Sequence, residues 1–190
     1  MKPIVGWKKG IQFAKGVGAL LLLSALLVGG FLWTSMQSRS DLIPVGQLAP
    51  DFAAMTGDGH TVHLADLRGK RRVVLVFYPG DYTPVCTSQL CSFRDSWSAL
   101  QAENAVAFGV NPADQGRHRA FATTIHLPFP LIVDAKGEIA ARYGCRALFG
   151  IVKRTVYVLD RQGRVVWVKR GNPPPAEILQ ILHSLKDHFV

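Results

Sequence analysis

VVLVFYPGDYTPVCTSQLC, residues 73–91, passes from an apolar run through a turn into a segment with two cysteines five positions apart. Val73 to Tyr78 is continuously apolar and rich in β-branched residues, the composition of a strand buried on both faces. Pro79 and Gly80 end it. Asp81, Thr83 and Pro84 supply a turn and the opening of a helix, since Asp and Thr cap and proline is tolerated in a first turn. Cys86 therefore falls in the first helical turn. Unpaired N–H groups and the positive end of the helix dipole favour a thiolate over a thiol there.

Cys91 indicates what kind of thiol chemistry is involved. In an uninterrupted α-helix, residues i and i+5 are separated by roughly 7.5 Å of rise and about 140° of rotation. A disulfide requires Cα atoms within about 7 Å and converging Cβ vectors. The two sulfurs cannot join while the helix stays wound. A Cys-x-x-Cys oxidoreductase closes its disulfide with little movement, whereas this spacing demands unwinding in every cycle. That suits an enzyme that captures something on Cys86 first and forms the disulfide afterwards.

From Phe77 to Asp95, FYPGDYTPVCTSQLCSFRD, the chain resembles the active-site segment of the peroxiredoxins, specifically the bacterioferritin-comigratory or PrxQ subfamily. The similarity continues through Gly109 to Gly144 and Arg154 to Val168, and so covers nearly everything after residue 41. Pro79, Thr83 and Cys86 meet the pattern Pro-x-x-x-Thr-x-x-Cys, and Cys91 stands where the subfamily has a resolving cysteine. The resemblance implies that Cys86 is the peroxidatic cysteine and becomes a sulfenic acid. It gives Thr83 the role of hydrogen-bonding the thiolate and the peroxide, and Pro79 that of shielding the site from water. Arg154 matches the arginine whose cationic fork stabilises charge as the O–O bond breaks. Cys91 would attack the sulfenic acid, and a dithiol protein such as thioredoxin would reduce the resulting intramolecular disulfide. Val85 stands where the subfamily usually has glycine, a departure that bears on access for bulky hydroperoxides.

Each of these residues also has a plainer reading. A cysteine near a helix start is often only a small buried hydrophobe, but Pro79, Thr83 and Cys91 at matching offsets favour the nucleophile. Arg154 could form a surface ion pair, with Lys153 the inward residue. Strand alternation puts Val156 and Val158 on the face of Arg154, so a core-facing Val156 would bring the guanidinium to the site. Arg94 and Asp95 read as a structural charge pair.

Residues 1–40 hold Lys2, Lys8, Lys9, Lys15 and Arg39 and no acid, and residues 16–33, GVGALLLLSALLVGGFLW, are uncharged and mostly apolar. Eighteen residues span roughly 27 Å, close to a hydrocarbon core of about 30 Å. This predicts a transmembrane anchor. Trp33 suits an interface, and four lysines before the span place the N-terminus in the cytoplasm and the domain, residues 41–190, on the periplasmic side. A cleaved signal peptide competes with that reading, but the run is long for one and Thr34 to Ser38 offer no Ala-x-Ala site.

The formal net charge of +9 leaves only +4 for residues 41–190 once the five bases before them are set apart. Lys70, Arg71 and Arg72 read as a solvated loop rather than a nucleic-acid surface. The histidines are scattered, and His60 and His63 read as surface residues with no metal cluster around them. Neither a phosphate loop nor a nucleophile elbow is present, and the reaction needs no cofactor. Cys145 is a third, unpaired thiol, a bystander or an alternative resolving partner.

The coarse pattern after an extended lead-in at Leu48, Pro50 and Phe52 alternates strands and helices. A helix is expected from about Cys86 to Glu103, a strand over Ala105–Val110, a helix around Arg117–Ile125, a strand over Pro130–Val133 and a short helix over Glu138–Tyr143. A hairpin over Thr155–Lys169 and an amphipathic helix over about Pro175–His188 close the chain. That is an α/β sandwich, consistent with the thioredoxin-like fold that the resemblance implies. The expected function is a thiol peroxidase acting on hydrogen peroxide and organic hydroperoxides, as a monomer or weak dimer. The alternatives are a membrane-anchored thiol-disulfide oxidoreductase, disfavoured by the lack of Cys-x-x-Cys, and a non-enzymatic redox sensor.

Overall fold

The computed structural model describes residues 42–185. The basic stretch 1–40 with its expected anchor over 16–33, and residues 186–190 at the other end, lie outside the described residues. Among the described residues no helix is long and apolar enough to cross a membrane.

The sheet grows from the segment expected to be fully buried. β3 (Arg72–Phe77) is buried at all six positions. It pairs in parallel with β4 (Ala105–Asn111) on one side and antiparallel with β6 (Thr155–Leu159) on the other. β5 (Leu131–Val133) and β7 (Val165–Arg170) complete the order β5-β4-β3-β6-β7. Side chains alternate across this mixed sheet. Val73, Leu75 and Phe77 enter one core with Phe52, Tyr143, Cys145 and Tyr157. Val74, Val76 and Tyr78 enter the other with Cys86, Leu90, Phe93, Phe121, Val156, Val158, Ile178 and Leu182. The second core is roofed by α1 (Pro84–Asp95), α2 (Trp97–Ala102), α3 (Gln115–Thr124) and α5 (Pro175–Ser184). α4 (Glu138–Arg142) covers the first.

Three expectations need correction. Arg72, read with Lys70 and Arg71 as a solvated loop, is buried at the start of β3 and donates from Nη1 to the Glu103 carbonyl at 2.8 Å. The single helix expected from about Cys86 to Glu103 is two helices, broken at Ser96, whose backbone (φ −98°, ψ 7°) caps α1 and opens α2. Asp95 and Ser96 both favour helix ends over interiors. Trp97 turns to stack its ring 5.5 Å from that of Phe129. The extended lead-in also contains an unforeseen hairpin, β1 (Ala53–Met55) against β2 (Thr61–His63). Its turn is closed by Asp58, which accepts hydrogen bonds from the Thr56 hydroxyl and from the His60 amide. The remaining elements fall within about two residues of their expected bounds, a typical margin for element ends, except that the expected end of the last helix at His188 lies outside the described residues.

Candidate active site

Thr83 is the N-cap of α1, with extended backbone, and Pro84 holds the first helical position. The first helical hydrogen bond runs from the Thr87 amide to the Thr83 carbonyl at 2.9 Å. Cys86 therefore sits inside the opening turn, as its sequence context predicts, where amides have no carbonyl partner within the helix. It is fully buried, in the core that also holds Val74, Val76, Tyr78, Leu90 and Val156. Thr83, Pro84 and Val85, which precede it, are all exposed.

Arg154 lies immediately before β6. Val156 and Val158 point into the same core as Cys86, so the alternation that favours Arg154 over Lys153 holds. The guanidinium forks: Nη2 donates to Cys86 Sγ at 3.1 Å, and Nη1 donates to Gln89 Oε1. Gln89, one helical turn after Cys86, is fully buried and escaped the sequence reading, where it looked like one more polar helix residue. The signal available was its i+3 position, which places it on the face of Cys86.

The other expected residues are placed as follows. Thr83 directs its hydroxyl to the Gly80 carbonyl at 3.3 Å. Pro79 follows β3 directly and is exposed. Cys91 is half-buried on the same helix and packs against the same core as Cys86, and all three cysteines are free thiols. Arg94 and Asp95 form the expected exposed pair, Nε to Oδ1 at 2.8 Å, while Arg94 Nη1 also ties α1 to the Ile125 carbonyl at 2.8 Å. Cys145 is fully buried in the opposite core, its Sγ donating to the Tyr143 carbonyl at 3.3 Å. Burial pushes its thiol up to about 11. With the sheet between it and Cys86, it is no resolving partner in this fold.

A cluster absent from the sequence expectations lies behind the turn. Asp81, Asn111 and His118 are buried there together with Tyr78. Burial works to raise the Asp81 carboxyl, but hydrogen bonds from His118 and Tyr78 outweigh it and hold the group below the ordinary carboxylate value. Burial, then the neighbouring Asp81 charge, drives the Tyr78 hydroxyl well above its usual range. Among the described residues no group of three or more His, Cys, Asp or Glu is placed to hold a metal ion.

A buried thiol at a helix start, with a guanidinium on its sulfur, is what the structure shows. The AhpC/TSA family model matches residues 45–168. Peroxiredoxin Bcp of Bacillus subtilis is 36% identical over 152 residues, covering 76% of this chain and 96% of that protein. The chloroplastic peroxiredoxin Q of Populus jackii is 39% identical over 146 residues, covering 74% of this chain and 68% of its own. Among solved structures, peroxidoxin BcpB of Mycobacterium tuberculosis superposes with a TM-score of 0.71 at 30% identity, over 75% of this chain and 98% of that one. Peroxiredoxin Q of Xanthomonas campestris shares the fold, with a TM-score of 0.64 at 22% identity over 72% of this chain and 90% of that one. The chain thus belongs to the AhpC/TSA family, with relatives among the Bcp and Q peroxiredoxins, and is a thiol-dependent peroxidase.

Proposed function

We propose that the chain reduces hydrogen peroxide and organic hydroperoxides through Cys86 and Cys91 in sequence. The observation that carries this reading is the 3.1 Å contact between Arg154 Nη2 and Cys86 Sγ in the opening turn of α1. The Cys86 sulfur attacks one peroxide oxygen, the O–O bond breaks, and the leaving oxygen departs protonated as water or an alcohol while the sulfur becomes a sulfenic acid. The guanidinium balances charge that moves from sulfur to the leaving oxygen. Gln89 keeps the fork aimed by accepting from its other arm. Thr83 turns its hydroxyl from the Gly80 carbonyl to the bound peroxide, and Pro79 borders the opening. Cys91 then displaces the sulfenic hydroxyl as water, forming a disulfide that a thioredoxin-like dithiol protein reduces. The bacterioferritin comigratory protein of Xanthomonas campestris has alkyl peroxide reduction activity, which supports organic hydroperoxides as substrates. The exposed position of Val85, 57% accessible, leaves room beside the turn for an alkyl group.

The apolar run at residues 16–33 anchors the protein in a membrane, with the domain on the periplasmic side and acting as a monomer or weak dimer. Alkaline carbonate extraction that leaves the full chain in the membrane, with protease reaching the domain only from outside, tests that placement; release into the supernatant rules it out. The chemistry is tested by peroxide consumption with a dithiol reductant. Cys86→Ser should abolish it, and Cys91→Ser should allow one oxidation per protein but no dithiol-driven turnover. Undiminished consumption by Cys86→Ser would refute the reading.

A further inference from the structure

The turn that carries Cys86 is gripped from behind by polar groups that the reaction above does not use. Asp81, 2% exposed, stands at the centre of the grip. Its Oδ1 accepts from the Tyr78 hydroxyl at 2.7 Å and from Asn111 Nδ2 at 2.7 Å, joining the ends of β3 and β4. Its Oδ2 lies 2.9 Å from Nδ1 of the fully buried His118. The other ring nitrogen of His118 is 3.2 Å from the Ile132 carbonyl. The ring thus bridges the Asp81 carboxylate and β5.

The same helix holds the next residue of the turn as well. Arg117 Nη2 donates to the Asp81 carbonyl at 3.3 Å, and its guanidinium carbon is 5.4 Å from the centre of the Tyr82 ring. Phe121 packs on that ring at 4.9 Å. Tyr82 has φ +62°, in the left-handed region that L residues with a side chain avoid. A residue held there relaxes when its surroundings let go. Arg117, His118 and Phe121 thus fix two consecutive residues, one of them strained, directly before the helix cap Thr83.

We propose that His118 is a positioning residue that latches this turn through Asp81, and that the latch sets how readily the opening of α1 unwinds to bring Cys86 to Cys91. The inference rests on the peroxidase reading. Once Cys86 carries a sulfenic acid, two fates compete. With the helix unwound, the Cys91 thiol attacks the Cys86 sulfur, an S–S bond replaces the S–O bond, and hydroxide leaves with the thiol proton as water. With the helix wound, the sulfenic sulfur attacks a second hydroperoxide, gains an oxygen as sulfinic acid and releases water or an alcohol. The latch stabilises the wound form, so it slows the first fate and leaves the second open. A purely structural role for His118 would lower both oxidation and resolution; a latch moves their ratio.

The test uses the full chain, pre-reduced, mixed with hydrogen peroxide, quenched at intervals and read by mass spectrometry. For His118→Leu, which removes both ring contacts, the ratio of the disulfide-forming rate to the first oxidation rate should rise about tenfold, the scale of a hydrogen bond to a charged group. The peroxide concentration that leaves half the protein as sulfinic acid should rise in parallel. His118→Asn, whose amide restores a donor toward Asp81, should fall between. Arg117→Met, at an exposed position, should shift the ratio in the same direction by less, and it decides the matter if His118→Leu does not fold. An unchanged ratio, or one that falls, in the folded variants would overturn the latch while leaving the wild-type peroxidase intact. A wild-type Cys86 that resists peroxide would overturn both readings.

Discussion

Arg154 and Gln89 together fix where charge is met at the sulfur, and a point charge cannot reproduce that fork. A lysine at 154 has no planar pair of donors with which to contact Cys86 Sγ and Gln89 Oε1 at once. Arg154→Lys and Arg154→Met should each slow the first oxidation of Cys86 by about 10²- to 10³-fold, the loss typical of one preorganised donor; stopped-flow mixing with peroxide measures it. Gln89→Leu should cost less, about tenfold, since the guanidinium survives without its second anchor. Cys145 lies apart from Cys86. Buried in the other core, with its thiol pushed up to about 11, it should resist iodoacetamide at pH 8 in a Cys86→Ser, Cys91→Ser background and react only after denaturant is added. Rapid labelling of the folded protein would contradict its placement.

At the scale of the element, α1 carries both sulfurs of the proposed disulfide, which can join only if the helix comes apart. Hydrogen exchange should therefore show the amides of Thr87 to Cys91 exchanging at least about tenfold faster in the disulfide form than in the reduced form, with β3 unchanged. Equal protection in both forms would mean that the helix need not unwind. The start of α1 could be read from the chain because proline after a capping threonine has one local meaning. The burial of β3 from Val73 onward could be read because no polar residue interrupts that run, whereas buried Arg72 at its start could not. At Ser96 only part could be read: Asp95 and Ser96 favour helix ends, but the stacking of Trp97 on Phe129 is a contact across more than thirty residues of chain. Asp81 shows the same limit from the side of the site. Locally it reads as a turn residue, and only the fold brings Asn111 and His118, from β4 and α3, onto its carboxylate. Gln89 likewise became meaningful only once the fold delivered Arg154 from a distant strand start.

For the molecule as a whole, a sheet buried on both faces separates two thiol environments, and its ionisable groups give stability a readable pH dependence. Asp81 is held below the ordinary carboxylate value, so its contribution is present at neutral pH and is lost as pH falls below about 4. Asp134 is raised by burial despite bonds from the Ile139 and Ala140 amides. Its sign is opposite, and stability from this group declines as pH rises through the carboxylate range. Cys145 is raised from 9.0 to about 11, so its contribution is complete below the unfolded value and is lost on the way up to the folded one. Denaturant unfolding should show the wild type losing about 3 kcal/mol across that interval that Cys145→Ala does not lose. Parallel curves would contradict the assignment. The account depends most on which sulfur meets peroxide first, and mass spectrometry after one equivalent of hydrogen peroxide reads that directly. It predicts a sulfenic acid on Cys86 alone in Cys91→Ser and a Cys86–Cys91 disulfide in the wild type; the first oxygen on Cys91 or Cys145 would contradict it.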